Sequence, residues 1–208
     1  MKVISQSFKD QTVIPGEFAF AIQDPVNHLA LSSNKNPHLS WSEFPQNTQS
    51  FAVICHDPDV PSQGDNVNQE GKVVPASLPR VDFYHWVLVN IPASIHSIEA
   101  GSHSSSITPK GKTATASPIG LAGINDYTAW FNGDAEMGGN YFGYDGPCPP
   151  WNDEIKHHYV FTVYALDTPS IQVTGAFTGA DALGAMKQHI LDQATITGIY
   201  SLNPGIQL

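Results

Sequence analysis

Three stretches of the chain are apolar almost without interruption, and they set the frame for everything between them. The first is FAVIC at residues 51–55, the second runs from Phe83 to Ile91, and the third runs from His157 or His158 to Leu166. Each is too short and too evenly apolar for a surface helix. Each suits a strand buried on both faces. The first is predicted to stop at Asp57, because Pro58 and Pro61 lack amide hydrogens and push the residues before them toward extended, non-helical geometry. The second stops at Pro92 and the third at Asp167 and Pro169.

Weaker patterns fill the remainder. A strand is expected near Gly16, through Phe18 and Phe20, and residues 32–37 read as loop. The alternation in His38-Leu39-Ser40-Trp41 predicts a short strand that pairs with the one at Phe51 across the turn chemistry of Phe44-Pro45-Gln46-Asn47. Residues 62–79 are polar and long for an internal connection, and residues 94–118 are Ser-rich and mostly loop. Between residues 123 and 150, Tyr127, Trp130, Phe131, Tyr141, Phe142 and Tyr144 lie among six glycines. Such a segment either covers a pocket or packs on its own rings. One helix is predicted: Thr178 and Asp181 resemble a capping box, and Leu183, Met186, Ile190 and Ala194 recur at helical spacing until Gly198.

Composition narrows the class. Seventeen Gly and sixteen Pro, spread through 208 residues without a repeat, favour many turns and short strands, hence a mainly β domain. Nine Lys plus Arg against nineteen Asp plus Glu give a net charge of −10, which repels phosphate backbones and anionic membrane surfaces. Nucleic acid is therefore excluded as a partner. No apolar run approaches the roughly 20 residues of a spanning helix, and the N-terminal MKVISQSFKD lacks the apolar core of a secretory signal, so a cytoplasmic location is expected. Cys55 and Cys148 have no CxxC spacing; free thiols are the simplest reading, with a bridge between them still open.

Candidate chemistry gathers at the strand ends: His56, Asp57 and Asp59, then His85, then His157, His158 and Tyr159. If the three strands are neighbours with these ends on one side, they form a pocket ringed by imidazoles and carboxylates. Two uses compete. A metal would need about four converging ligands, and no HExxH or CxxC pair supplies them; His157 and His158 point to opposite faces of a strand. Alternatively, His and Tyr donors hold a small anion while the Asp groups orient the imidazoles. No P-loop, GxGxxG or GxSxG motif is present, so neither a cofactor nor a motif-based nucleophile is implied, although Cys148 leaves a thiol mechanism open. His28, His38, His96, His103 and His189 are read as structural.

Taken together, DPDVP at residues 57–61, HWVLVNIP at 85–92, YDGPCPP at 144–150 and HHYVFTVYALD at 157–167 resemble the signature blocks of the phosphatidylethanolamine-binding protein family, most closely its bacterial and archaeal, Raf-kinase-inhibitor-like branch. HLSW at 38–41 and the helix near the C-terminus fit as well. The resemblance implies one Greek-key β-sandwich domain over residues 1–208 with a few peripheral helices. It also implies a pocket for phosphate, acetate or a phosphorylated head group, lined by Asp57, Asp59, His85, Gly146, Cys148, Pro149, Pro150, His157 and Tyr159. His157 rather than His158 is preferred, because Tyr159 then completes the family's H-x-Y. A binding module with no metal or cofactor is the expected function, and a homodimer is compatible with it. A hydrolase or metalloenzyme using the same cluster, and an interaction protein docking through its long loops, are the competing readings. Residues 62–84 and 127–144 are longer than the resemblance predicts and adjoin the pocket.

Overall fold

The computed structural model describes residues 1–114 and 117–208; part of the Ser-rich segment expected as loop, at 115–116, thus lies outside the described residues. Its elements, in chain order, are β1 (Lys2–Ile4), β2 (Thr12–Val13), a 3-10 turn (Gly16–Phe18), β3 (Ala21–Asp24), β4 (His28–Leu31), β5 (Leu39–Ser42), β6 (Ser50–Pro61), β7 (Arg80–Pro92), β8 (Ser97–Ile98), β9 (Gly111–Lys112) and β10 (Leu121–Ala122). They continue with α1 (Tyr127–Trp130), β11 (Asn140–Tyr141), β12 (His157–Leu166), α2 (Gly179–Met186) and β13 (Ile190–Tyr200).

The protein is mainly β. The principal sheet has the order β10-β7-β6-β12-β13-β2, and β1-β5-β8 form a second, smaller sheet. After the β6–β7 hairpin the chain makes a long return that lays β12 beside β6, which is the connection of a Greek key. The unbroken apolar runs follow from burial on both faces of the principal sheet. Phe51, Val53 and Cys55 of β6 face the smaller sheet in a core with Leu39, Trp41, Trp86, Leu88 and Phe161. Ala52 and Ile54, on the opposite face, pack with Val87, Val89 and α2 through Ala182 and Met186. Successive residues of a strand alternate faces, so a strand covered on both sides must be apolar at every position.

Several expectations from the sequence are corrected. Strand β6 does not stop at Asp57 but runs to Pro61, and its register against β7 steps irregularly from Asp57↔Phe83 to Val60↔Val81. That irregularity accommodates Pro58, whose missing amide a regular ladder would not tolerate. Strand β5, carrying the HLSW segment, pairs with β1 and β8 rather than with β6. The segment at Gly16 is a 3-10 turn, and the nearby strand starts only at Ala21. The helix at Thr178 has the expected reciprocal capping box with Asp181 but ends at Met186. Ile190 and Ala194 belong to β13, whose β-branched Thr195, Ile196, Thr197 and Ile199 suit a strand and pair along the length of β12. Cys55 and Cys148 are free thiols. No helix of the described residues is long and apolar enough to cross a membrane.

Candidate functional site

Adjacent strands bring the three polar clusters to one end of the sheet. Antiparallel pairing sets the exit of β6 beside the entrances of β7 and β12, with Asp57 opposite Phe83 and His56 opposite Val160. His85 lies two residues beyond Phe83, and Tyr159 two beyond His157, so period-2 geometry turns each pair to a single face. A cavity of about 470 Å³ opens there, lined at one part by Asp57, His85, Cys148, Pro149, Pro150, His157 and Tyr159 and elsewhere by apolar and aromatic side chains.

Behind the cavity lies a buried chain of charges. His157 is fully buried and uses both ring nitrogens: Nδ1–H donates to Asp57 Oδ2 at 2.6 Å and Nε2–H to Asp153 Oδ2 at 3.2 Å. Arg80 grips Asp153 with two bonds, Nη1 to Oδ2 at 2.6 Å and Nη2 to Oδ1 at 3.0 Å. Asp57 Oδ1 accepts from the Asp59 amide at 2.8 Å. Burial by itself depresses the His157 pKa, but the negative charge of Asp57 and the bonds from both carboxylates outweigh it and raise the value from 6.5 to about 9. The imidazolium is therefore charged at neutral pH, and Arg80⁺, Asp153⁻, His157⁺ and Asp57⁻ compensate one another. Burial also acts to raise the pKa of Asp153, yet its bonds from His157 and Arg80 bring it below the usual value.

His85 is held differently. Its Nδ1–H donates to the Asp145 carbonyl at 2.8 Å, and the Asp145 amide donates back to the His85 carbonyl at 2.9 Å. Burial is the largest influence on this ring and lowers its pKa, against the opposing pull of Asp57. Neutral His85 with its proton on Nδ1 presents Nε2 as an acceptor. Asp145 is itself anchored by Asn34 Nδ2 at 2.7 Å, Asn125 Nδ2 at 2.8 Å and the Lys112 ammonium at 3.0 Å. Tyr159 packs edge-on to His85, with ring centroids 5.1 Å apart, and its buried hydroxyl has no hydrogen-bond partner among the described residues. Burial raises its pKa well above 10, so the hydroxyl stays protonated and is a donor.

The structure brings together Asp57, His85, Cys148, Pro149, Pro150, His157 and Tyr159, and separates two other expected residues from them. Asp59 is absent from the cavity lining and instead accepts from both the amide and Nδ1 of His158, at 2.8 and 2.7 Å. Gly146 stands behind the wall: its amide bonds Asn34, its carbonyl accepts from Tyr127, and a Cβ there would come within 2.2 Å of the Phe18 carbonyl oxygen. Cys148 lines the cavity as a protonated thiol, pushed by burial up to about 12. Arg80, Asp153 and Asp145 escaped the sequence reading. Arg80 and Asp153 lie in polar stretches without periodicity, and only Asp145, inside YDGPCPP, had a local marker. No group of three or more His, Cys, Asp or Glu side chains among the described residues is arranged to hold a metal ion.

The two long segments form part of the cavity. Residues 62–79 are wound around Asn152, whose Nδ2 donates to the carbonyls of Asn66, Gln69 and Lys72 and whose Oδ1 accepts from the Asn68 amide. Val67 and Asn68 thereby line the cavity. The aromatic segment does both things expected of it as alternatives. Tyr127 and Tyr141 pack with Phe20 in a small core, while Tyr127, Trp130 and Phe131 line the cavity.

The chain is thus a two-layered β domain with a buried His/Asp/Tyr cleft at one end of its principal sheet. The chain belongs to the phosphatidylethanolamine-binding protein family, whose pattern it matches over residues 4–201. It is 30% identical to the UPF0098 protein YbhB of Escherichia coli over 203 residues, covering 97% of this chain and all of that protein. It is 32% identical over 176 residues to a UPF0098 protein of Methanothermobacter thermautotrophicus, covering 85% and 89% of the two chains. Among solved structures, that of Escherichia coli YbcL, described as a new member of the mammalian PEBP family, superposes with a TM-score of 0.69 at 26% identity over 96% of this chain and 97% of the other.

Proposed function

We propose that the protein binds a small anion or the phosphorylated head of a larger ligand in the cleft between His85 and His157, without turning it over. The observation that carries this reading is the Tyr159 hydroxyl, a donor buried at the cavity without a partner among the described residues. An unsatisfied buried hydroxyl costs about 1–3 kcal/mol, which an incoming oxyanion recovers. His85 Nε2 supplies a second contact. It accepts from a protonated ligand oxygen, or donates once it is itself protonated. His157 has no free nitrogen and acts from behind the site, by holding Asp57 in place and offsetting its charge.

Asp57 does not forbid an anion, since both its oxygens are already engaged, one by His157 and the other by the Asp59 amide. The buried, protonated Cys148 thiol is a poor nucleophile. Titration calorimetry with inorganic phosphate and phosphoethanolamine tests the proposal. Tyr159→Phe is expected to weaken binding by about ten-fold. Unchanged affinity in that variant, or an anion found elsewhere in a ligand-soaked crystal with the His85 cleft empty, would overturn it.

A further inference from the structure

The cavity is larger and more aromatic than a small oxyanion requires. Beyond the His85–Tyr159 end its wall combines aliphatic side chains, among them Leu29, Leu31, Val60 and Val67, with a cluster of rings: Tyr127 is stacked on Phe20 at a centroid distance of 4.7 Å and on Phe131 at 5.6 Å, and Phe83 meets Tyr127 edge-on at 5.3 Å. Trp130 also lines this part and is 54% exposed. No Lys or Arg lines the cavity, and the one acid away from the polar end is the exposed Glu136. The outer part thus offers no cationic partner to a second anionic group on the ligand.

We propose that this outer part is an aryl subsite, so that the chain selects an aromatic ester or acid carrying a single oxyacid group, with Trp130, Phe131 and Met137 determining the preference. The inference rests on the head-group reading above and extends it to the body of the ligand. A volume of about 470 Å³ matches one drug-sized molecule, toward the low end of the roughly 300–1,000 Å³ range of such sites, and is too small to enclose two long acyl chains. The cluster of Phe83, Tyr127, Trp130 and Phe131 favours a ring over a flexible chain, because a ring stacks or meets edges while freezing few rotors. Tyr127, Trp130, Phe131 and Met137 of this wall come from the long segment 127–144.

Calorimetry on the full chain with phenyl phosphate, hexyl phosphate, inorganic phosphate and neutral benzyl alcohol tests the assignment. Phenyl phosphate is expected to bind about ten-fold or more tighter than inorganic phosphate, and tighter than hexyl phosphate. Phe131→Ala should bring the ratio of phenyl to inorganic phosphate affinity close to one, and Trp130→Ser, an exposed change that leaves the core intact, should lower it in part. Equal affinities for the two phosphates, a preference for hexyl phosphate, or a ratio that survives both substitutions would overturn the aryl subsite. If both phosphates fail to bind while benzyl alcohol binds in a Phe131-dependent way, the head-group reading falls and the subsite stands. If benzyl alcohol fails as well, the subsite falls with it.

Discussion

His157 and His85 are both buried imidazoles of one cleft, yet they titrate in opposite directions for identifiable reasons. His157 is flanked by Asp57 and Asp153, and its pKa rises to about 9; His85 faces a carbonyl, and burial lowers it. A raised folded-state pKa contributes stability that is complete below the unfolded value near 6.5 and is lost as pH climbs through about 9. The loss across that window is expected to be roughly 3 kcal/mol, read by urea unfolding at pH 6 and pH 10. Asp57→Asn removes one of the two charges that sustain the shift and should flatten the profile; an unaltered slope would place the titration elsewhere. For His85 the consequence concerns ligand. Protonation converts Nε2 from acceptor to donor, so affinity for sulfate, whose own charge is constant, should rise as pH falls from 7 to 5, and His85→Gln should abolish the rise. The sequence marked both histidines because each opens an apolar run, a context that few of the nine share. It could not mark Asp153 and Arg80, whose role comes from a bidentate contact across 73 positions of chain.

At the scale of elements, what was legible was whatever burial dictates locally. Strands β7 and β12 emerged from their apolar runs, and the start of α2 emerged from Thr178 and Asp181, because those signals depend only on near neighbours. The end of α2 was misplaced because Ile190 and Ala194 satisfy helical and strand periodicities alike, and pairing with β12 decides between them. Segment 62–79 reads from its composition as a long polar connection, but its anchor does not show there. Asn152 holds residues 66–72 of it with bonds to three carbonyls and one from the Asn68 amide, so one side chain outside the loop supplies much of its anchorage there. Asn152→Ala should therefore leave the sheet folded while exposing the segment to protease, with cleavage confined to residues 62–79 and at least several-fold faster than in the parent. Cleavage spread along the principal sheet would mean instead that Asn152 supports the fold at large. Because Val67 and Asn68 line the cavity, the same variant should also loosen ligand binding.

At the scale of the molecule, the proposed ligand and the protein have charges of the same sign. The chain carries −10, the cavity lining contributes no Lys or Arg, and the local positive charge of His157 is compensated by Asp57 and Asp153. An approaching oxyanion is therefore repelled at long range and attracted only within hydrogen-bond reach of Tyr159 and His85. Screening acts on the first interaction much more than on the second, since the Debye length shrinks from about 30 Å at 0.01 M salt to about 10 Å at 0.1 M while contacts in the buried cleft are little affected. Added inert salt should thus speed the association of phosphate or phenyl phosphate several-fold and leave dissociation almost unchanged, the reverse of the behaviour of a basic phosphate-binding site. Stopped-flow measurements at the two ionic strengths, at fixed pH and with an anion too large for the cleft as the added electrolyte, would reveal this. Association that slows with salt would require a cationic approach path, and the lining described here provides none.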